Sequence, residues 1–310
     1  MKYRKTRIVI FCMLISMMLG IGCGKEEQKD PELIFQYQLD YWDAYDLSGS
    51  YLPDKESFEE LAMSYLHDAG ELLEDSDWWI RINPKAEKII LNVKITGESG
   101  ATSCASYGKK ALEDVVEAGV TLSGMSLTQF RSDGFLAHEL THVMAGPSFS
   151  ISLEDGLCQY VQGTIGVSSH TPGVTEGKLS FEEYFKTYHE YYKQLVSEGD
   201  ISAKGTGSKG AVPLENFISS VGKEGREYPA ENRMIWMVYS EAFVRYLIAE
   251  YGVDSTMDLI TNGENDSTYE TIFGKGLEEL KEDWLRSVDV MEQEYTWEEI
   301  GEMEQDFLQK

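Results

Sequence analysis

The ten residues from 135 to 144, FLAHELTHVM, constrain this chain more than any other segment. They contain His138, Glu139 and His142 in the order H-E-x-x-H. On an α-helix, residues i and i+4 lie on the same face. Two imidazoles at this spacing can reach one tetrahedral Zn²⁺ and leave positions for a third protein ligand and a water. Glu139 is then placed to take a proton from that water, so the segment predicts a zinc site on a helix.

The residues around this motif favour a helix. Asp133 can act as its N-cap, and Leu136 and Leu140 belong to an apolar stripe. Gly146-Pro147 is a stop signal. The alternative is a solvated helix face that carries the motif by chance. The chain has only five His, so composition alone makes this pair rare, and the metal site is the stronger interpretation.

Residues 1–22 have the pattern of a secretory signal peptide. A basic start precedes an apolar run at 8–19, which is shorter than the roughly 20 residues that a transmembrane helix needs. Residues 19–23, LGIGC, resemble a bacterial lipobox, with Gly20 where such sequences usually carry Leu. The resemblance implies a lipid on Cys23 and a protein anchored to the membrane outside the cytoplasm, with residues 23–30 as a tether. The alternative is a simply secreted protein.

The composition is that of an acidic globular protein. Hydrophobic residues make up 42% of the chain and aromatic residues 12%, enough for a packed core. The net charge of −27 disfavours binding to nucleic acid and to anionic membrane surfaces. Solubility is the simplest explanation of this charge.

Cysteine usage leaves one question open. Of the four Cys, Cys12 lies in the signal peptide and Cys23 is the predicted lipidation site. Cys104 and Cys158 remain, and outside the cytoplasm they either form a disulfide or stay as buried thiols. The separation of these two Cys in the sequence is not one typical of metal ligands.

Periodicity divides the rest of the chain into two parts. Residues 31–146 form an N-terminal α/β part that ends in the motif helix, and residues 147–310 form a helical part with an insertion at about 168–232. The pattern predicts strands at 88–96 and 120–127. It predicts helices at 57–73, 109–117, 152–162, 180–198, 234–251, 254–260, 268–273 and 277–288, and an acidic helix or tail at 292–310. The predicted fold class is α+β.

A zinc site with two His needs another protein ligand, and the segment SLEDGLCQY at 152–160 is a candidate source. It resembles the W-L-x-E-G-L-A-x-Y helix of gluzincin zinc peptidases and their peptidase MA-like relatives. The resemblance implies that Asp155 is the third ligand, with Asp in place of Glu and Ser in place of Trp. Glu154 is the alternate ligand. The other alternative is that both are first-turn acids favoured by the helix dipole.

The resemblance extends towards the C-terminus. The segment YSEAFVRYL at 239–247 is similar to a buried helix of these peptidases, and 272–285 is similar to their C-terminal helices. By position, Tyr239 matches the tyrosine that stabilises the oxyanion in the family. The alternative is a core tyrosine whose hydroxyl is hydrogen-bonded.

The resemblance implies a zincin-like fold, with a small mixed sheet beside the H-E-x-x-H helix. It also implies a surface-anchored, zinc-dependent peptidase that acts on a peptide or protein, with Glu139 as general base. The alternative is a catalytically inactive, peptidase-like binding lipoprotein. A structural zinc site is a weaker third possibility, because such sites are closed by four protein ligands that are usually rich in Cys.

Overall fold

The computed structural model describes residues 30–37, 55–96, 104–107, 114–123, 135–165, 174, 177–197, 214–223 and 230–308. The strands are β1 Glu32–Tyr37, β2 Lys88–Thr96, β3 Cys104–Tyr107 and β4 Val115–Ser123. The helices are α1 Lys55–Leu72, α2 Trp78–Ile82, α3 Phe135–Ala145, α4 Ile151–Ile165, α5 Phe181–Ser197, α6 Leu214–Ser220, α7 Ala230–Tyr251, α8 Val253–Asn262, α9 Ser267–Phe273, α10 Leu277–Val290 and α11 Trp297–Leu308.

The strands form one mixed sheet in the order β1-β2-β4-β3. The first three strands in that order are parallel, and β3 pairs antiparallel with β4 at the edge. The register places Leu91 beside Ala118 and Val93 beside Val120, and all four side chains are buried. Successive strand residues point to opposite faces, so these pairs line the core face of the sheet. The strand predicted at 88–96 is confirmed.

One element prediction is wrong in part. The helix predicted at 109–117 ends within a strand, because Val115, Val116 and Glu117 belong to β4. Val115 and Val116 are buried and pair with β2, and sheet packing of these β-branched residues outweighs the helical pattern. Residues 109–113 lie outside the described ranges, as do residues 124–127 of the strand predicted at 120–127.

The motif helix α3 has a defined C-terminal end. Gly146 has a φ of 75°, and its N–H donates to the carbonyl of His142 at 3.1 Å. Arg81 donates to the carbonyls of Met144 and Ala145 at 3.0 and 3.1 Å and forms an ion pair with Asp75. A cation at the last carbonyls stabilises the helix end. The predicted stop signal is therefore confirmed.

The helical half packs on α4. The helix α7 lies along α4, with the backbone of Ser240 facing Gly156. The helices α5 and α6 come from the segment predicted as an insertion. Nevertheless they contribute fully or nearly fully buried residues, including Phe185 and Phe217. The described part of that segment therefore belongs to the core of this half.

The fold class is mixed α and β, mostly helical, with a small sheet beside the motif helix. The helix α3 contacts β3 and β4 on the sheet side and α4 on the helical side. The predicted helical character of the C-terminal half is confirmed. None of the helices within the described ranges is long and apolar enough to cross a membrane.

Candidate metal centre

The two motif histidines project from the same side of α3. The rings of His138 and His142 lie with centroids 4.9 Å apart and planes inclined by 71°. This is the arrangement that the i, i+4 spacing predicts. His138 is 6% exposed, and His142 is half-buried. The pair therefore lies at the contact between α3 and α4.

Asp155 of α4 faces both histidines. Its Oδ1 lies 3.3 Å from His142 Nε2 and 3.9 Å from His138 Nε2. Two ligand atoms at about 2.1 Å from one tetrahedral zinc are about 3.4 Å apart, so these separations are close to those of a zinc site. The carboxyl group of Asp155 is also buried, with the residue 3% exposed. The geometry therefore favours Asp155 as the third ligand.

Glu154 lies on the other side of His142. Its Oε1 is 2.7 Å from Nδ1 of that ring, and its Oε2 accepts the backbone N–H of Ser148 at 3.4 Å. Nδ1 and Nε2 are on different sides of an imidazole, so Glu154 holds the ring while Nε2 faces Asp155. A carboxylate on the distal nitrogen fixes the tautomer of a ligating His. The geometry gives Glu154 this supporting role.

Gln159 contacts the other ring, but in this orientation its amide N–H faces Nδ1 of His138 as a donor, whereas Glu154 is an acceptor at Nδ1 of His142. Its amide nitrogen lies 3.3 Å from His138 Nδ1, and the residue is buried. The sequence pattern did not identify Gln159. The available signal was its position four residues after Asp155, which places both side chains on one face of α4.

Cys158 is a further residue that the sequence reasoning missed. It is a free thiol, wholly buried, and hydrogen-bonded to His142. His138, His142 and Cys158 each offer a ligand atom, and these three atoms lie within 4.8 Å of one another. Burial raises the pKa of the Cys158 thiol to about 12 despite the opposing effect of His142.

The site favours positive charge. Burial disfavours the imidazolium form of His142, but Cys158, Asp155 and Glu154 outweigh it and hold the pKa of His142 well above its usual value. The same side chains would stabilise a cation at the position that faces Nε2. The donor set of two imidazoles, one carboxylate and one thiol is of the kind that binds Zn²⁺.

Two further predicted residues have defined surroundings. Glu139 is buried on α3, directly after His138, and is 4% exposed. The hydroxyl of Tyr239 hydrogen-bonds to His189 Nδ1 at 2.9 Å. The Tyr239 ring is wholly buried and meets Phe185 edge-on at 5.1 Å. Tyr239 therefore has the contacts expected of a core tyrosine with a hydrogen-bonded hydroxyl. Its role in stabilising an oxyanion stays a prediction. Asp133 and Cys23 lie outside the described ranges, as does the predicted signal peptide.

The surroundings of His189 lead us to expect that stability depends on pH. Burial and the nearby cation of Lys193 lower the pKa of His189 to about 4, against about 6.5 in the unfolded chain. Between these values the unfolded chain binds a proton that the folded chain does not. We therefore expect stability to fall as pH decreases from about 6.5 to 4, and His189→Gln to lose less stability over that range.

Thermal unfolding midpoints at several pH values between 7 and 4 test this expectation, each variant being compared with its own midpoint at pH 7. His67→Gln, on the exposed face of α1, is the matched control. If the midpoints of the wild type and His189→Gln fall equally between pH 7 and 4, the lowered pKa of His189 is not the cause of the pH dependence.

No protein-family model matches this sequence, and no curated protein and no solved structure is significantly similar to it. The resemblance to gluzincins therefore depends on the motif residues alone.

Proposed function

We propose that this protein is a zinc-dependent peptidase of gluzincin type, with a zincin-like fold and its site at the contact of α3 and α4. One observation carries the proposal. Nε2 of both motif histidines faces the Asp155 carboxylate at separations close to those of a tetrahedral zinc site. A peptide or protein is the substrate class. The predicted lipid on Cys23 would place the enzyme on the membrane, outside the cytoplasm.

The protein residues have separate tasks. His138, His142 and Asp155 would hold the ion. Glu154 would accept from Nδ1–H of His142 and orient that ring, and Gln159 would do the same for His138 once its amide oxygen is turned towards Nδ1. When bound, Zn²⁺ lowers the pKa of a ligand water towards about 7 and polarises a carbonyl group. The residues present fit that ion in ligand type and in spacing.

Glu139 supplies the proton transfers. Its carboxylate takes a proton from the attacking water and later gives it to the amine that leaves. Its position directly after His138 and its burial on α3 support this role. Tyr239 has no catalytic role in this proposal, because its hydroxyl is hydrogen-bonded to His189 within the aromatic core.

The second candidate is a catalytically inactive, peptidase-like binding lipoprotein. The observation that favours it is Cys158, which forms a cluster of three possible ligands with the two histidines; Asp155, which faces both Nε2 atoms, is a fourth. A site with four protein ligands is typical of structural zinc. This candidate predicts an intact fold without hydrolysis, whether or not zinc is bound.

Zinc affinity, measured by competition with a chromophoric chelator, tests the ligand assignment. We expect one zinc per chain, and Asp155→Ala should weaken binding by more than about 100-fold because it removes a direct ligand. Glu154→Ala should weaken it by about 10–100-fold, the range for a residue that orients a ligand.

Glu250→Ala, an exposed acid near the end of α7, is the matched control and should bind as the wild type does. Failure of the wild type to bind zinc would remove the basis of the proposal. A larger loss for Glu154→Ala than for Asp155→Ala would reverse the two roles.

A further inference from the structure

The candidate metal centre is built from two pairs of donors on two packed helices. The helix α3 presents His138 and His142 at i and i+4, and α4 presents Asp155 and Cys158 at i and i+3. Both spacings bring side chains to one face of a helix. The contact of α3 with α4 then brings the two faces together. Cys158 and Asp155 therefore lie on the same face of α4, the face that packs against the histidines of α3.

The contacts of Cys158 distinguish it from an ordinary core thiol. An ordinary buried Cys packs as a small hydrophobic residue, whereas the thiol of Cys158 lies beside both motif imidazoles. Its Sγ lies within 4.8 Å of a ligand atom on each histidine. In a tetrahedral site, a nitrogen and a thiolate sulfur are about 3.6 Å apart. A nitrogen–sulfur pair at this limit would therefore have to approach by about 1.2 Å.

We infer that Cys158 is a fourth protein ligand of the metal and closes the site in its resting state. This inference rests on the proposed zinc site and concerns the regulation of that site. On binding, the S–H bond breaks, the thiolate binds the ion, and the proton passes to solvent. The donor set then selects a thiophilic ion such as Zn²⁺ or Co²⁺ over Mg²⁺ or Ca²⁺. The thiolate also occupies the position that the attacking water needs, so hydrolysis requires Cys158 to leave.

Cobalt spectroscopy of the full chain tests the inference without depending on activity. Co²⁺ bound to the wild type is expected to give a near-ultraviolet charge-transfer band from thiolate to metal. Cys158→Ser and Cys158→Ala should still bind Co²⁺ through the remaining ligands but lack this band. Cys104→Ser, the matched cysteine control in β3, should keep it. Circular dichroism confirms that each variant is folded.

The outcomes separate this inference from the proposed function. If the wild type binds Co²⁺ but shows no charge-transfer band, Cys158 is not a thiolate ligand, and the peptidase proposal is unaffected. This measurement needs no variant. The band together with hydrolysis that increases in Cys158→Ala supports both. If the wild type shows the band but neither the wild type nor Cys158→Ala hydrolyses peptides, Cys158 is a thiolate ligand of a structural site. This outcome would overturn the peptidase proposal. Absence of Co²⁺ and Zn²⁺ binding overturns both.

Discussion

Glu139→Gln is expected to lower the rate of peptide hydrolysis by about 10²–10⁴-fold, the contribution typical of a general base. Gln has nearly the same shape as Glu but cannot take a proton from water. Glu139 is buried on α3 and is not among the side chains assigned to hold the metal. Zinc content and the thermal midpoint are therefore expected to stay close to those of the wild type.

The rates should be compared on the same peptide substrates for the wild type and Glu139→Gln, and again in the Cys158→Ala background. Glu250→Gln, on the exposed end of α7, is the matched control. Unchanged hydrolysis in Glu139→Gln would show that another group is the base. Bound zinc with no hydrolysis in any of these proteins would favour the binding lipoprotein.

Gly156→Ala is expected to lower the free energy of unfolding by about 1–3 kcal/mol. A Cβ at Gly156 would lie 2.5 Å from the carbonyl oxygen of Ser240 and 2.9 Å from a methyl group of Val244. The first of these is backbone of α7, so it cannot move aside as a side chain can. The helices α4 and α7 would have to separate, and Asp155, the neighbour of Gly156, would shift with α4. Zinc binding should therefore weaken as well.

Gly163→Ala provides the matched control on the same helix. A Cβ there would lie 3.4 Å from Glu241 Oε1 and 3.5 Å from Arg245 Nη2, which is ordinary contact. Without a clash, replacing a helical Gly by Ala stabilises the fold by about 0.5–1 kcal/mol. Thermal and urea midpoints of both variants measure the difference. Equal stability of Gly156→Ala and Gly163→Ala would contradict the close approach of α7 to α4.

Local sequence patterns were enough to predict the motif helix and the pairing of its histidines. The i, i+4 spacing and the stop at Gly146 are local features, and α3 has them as predicted. The helix that supplies Asp155 was also visible, because its apolar spacing is local. The sequence misplaced the start of β4, since the pattern at 109–117 is helical and only pairing with β2 makes Val115 and Val116 part of a strand.

What the acidic, amide and thiol side chains of α4 face depends instead on how the helices pack. Asp155 and Glu154 are adjacent in the chain and chemically alike, so sequence left them as alternatives. The packing of α3 on α4 places one at Nε2 and the other at Nδ1 of His142. The same contact brings Gln159 to His138 and Cys158 to both rings. These distances depend on the crossing of two helices, and no spacing within one helix specifies that crossing.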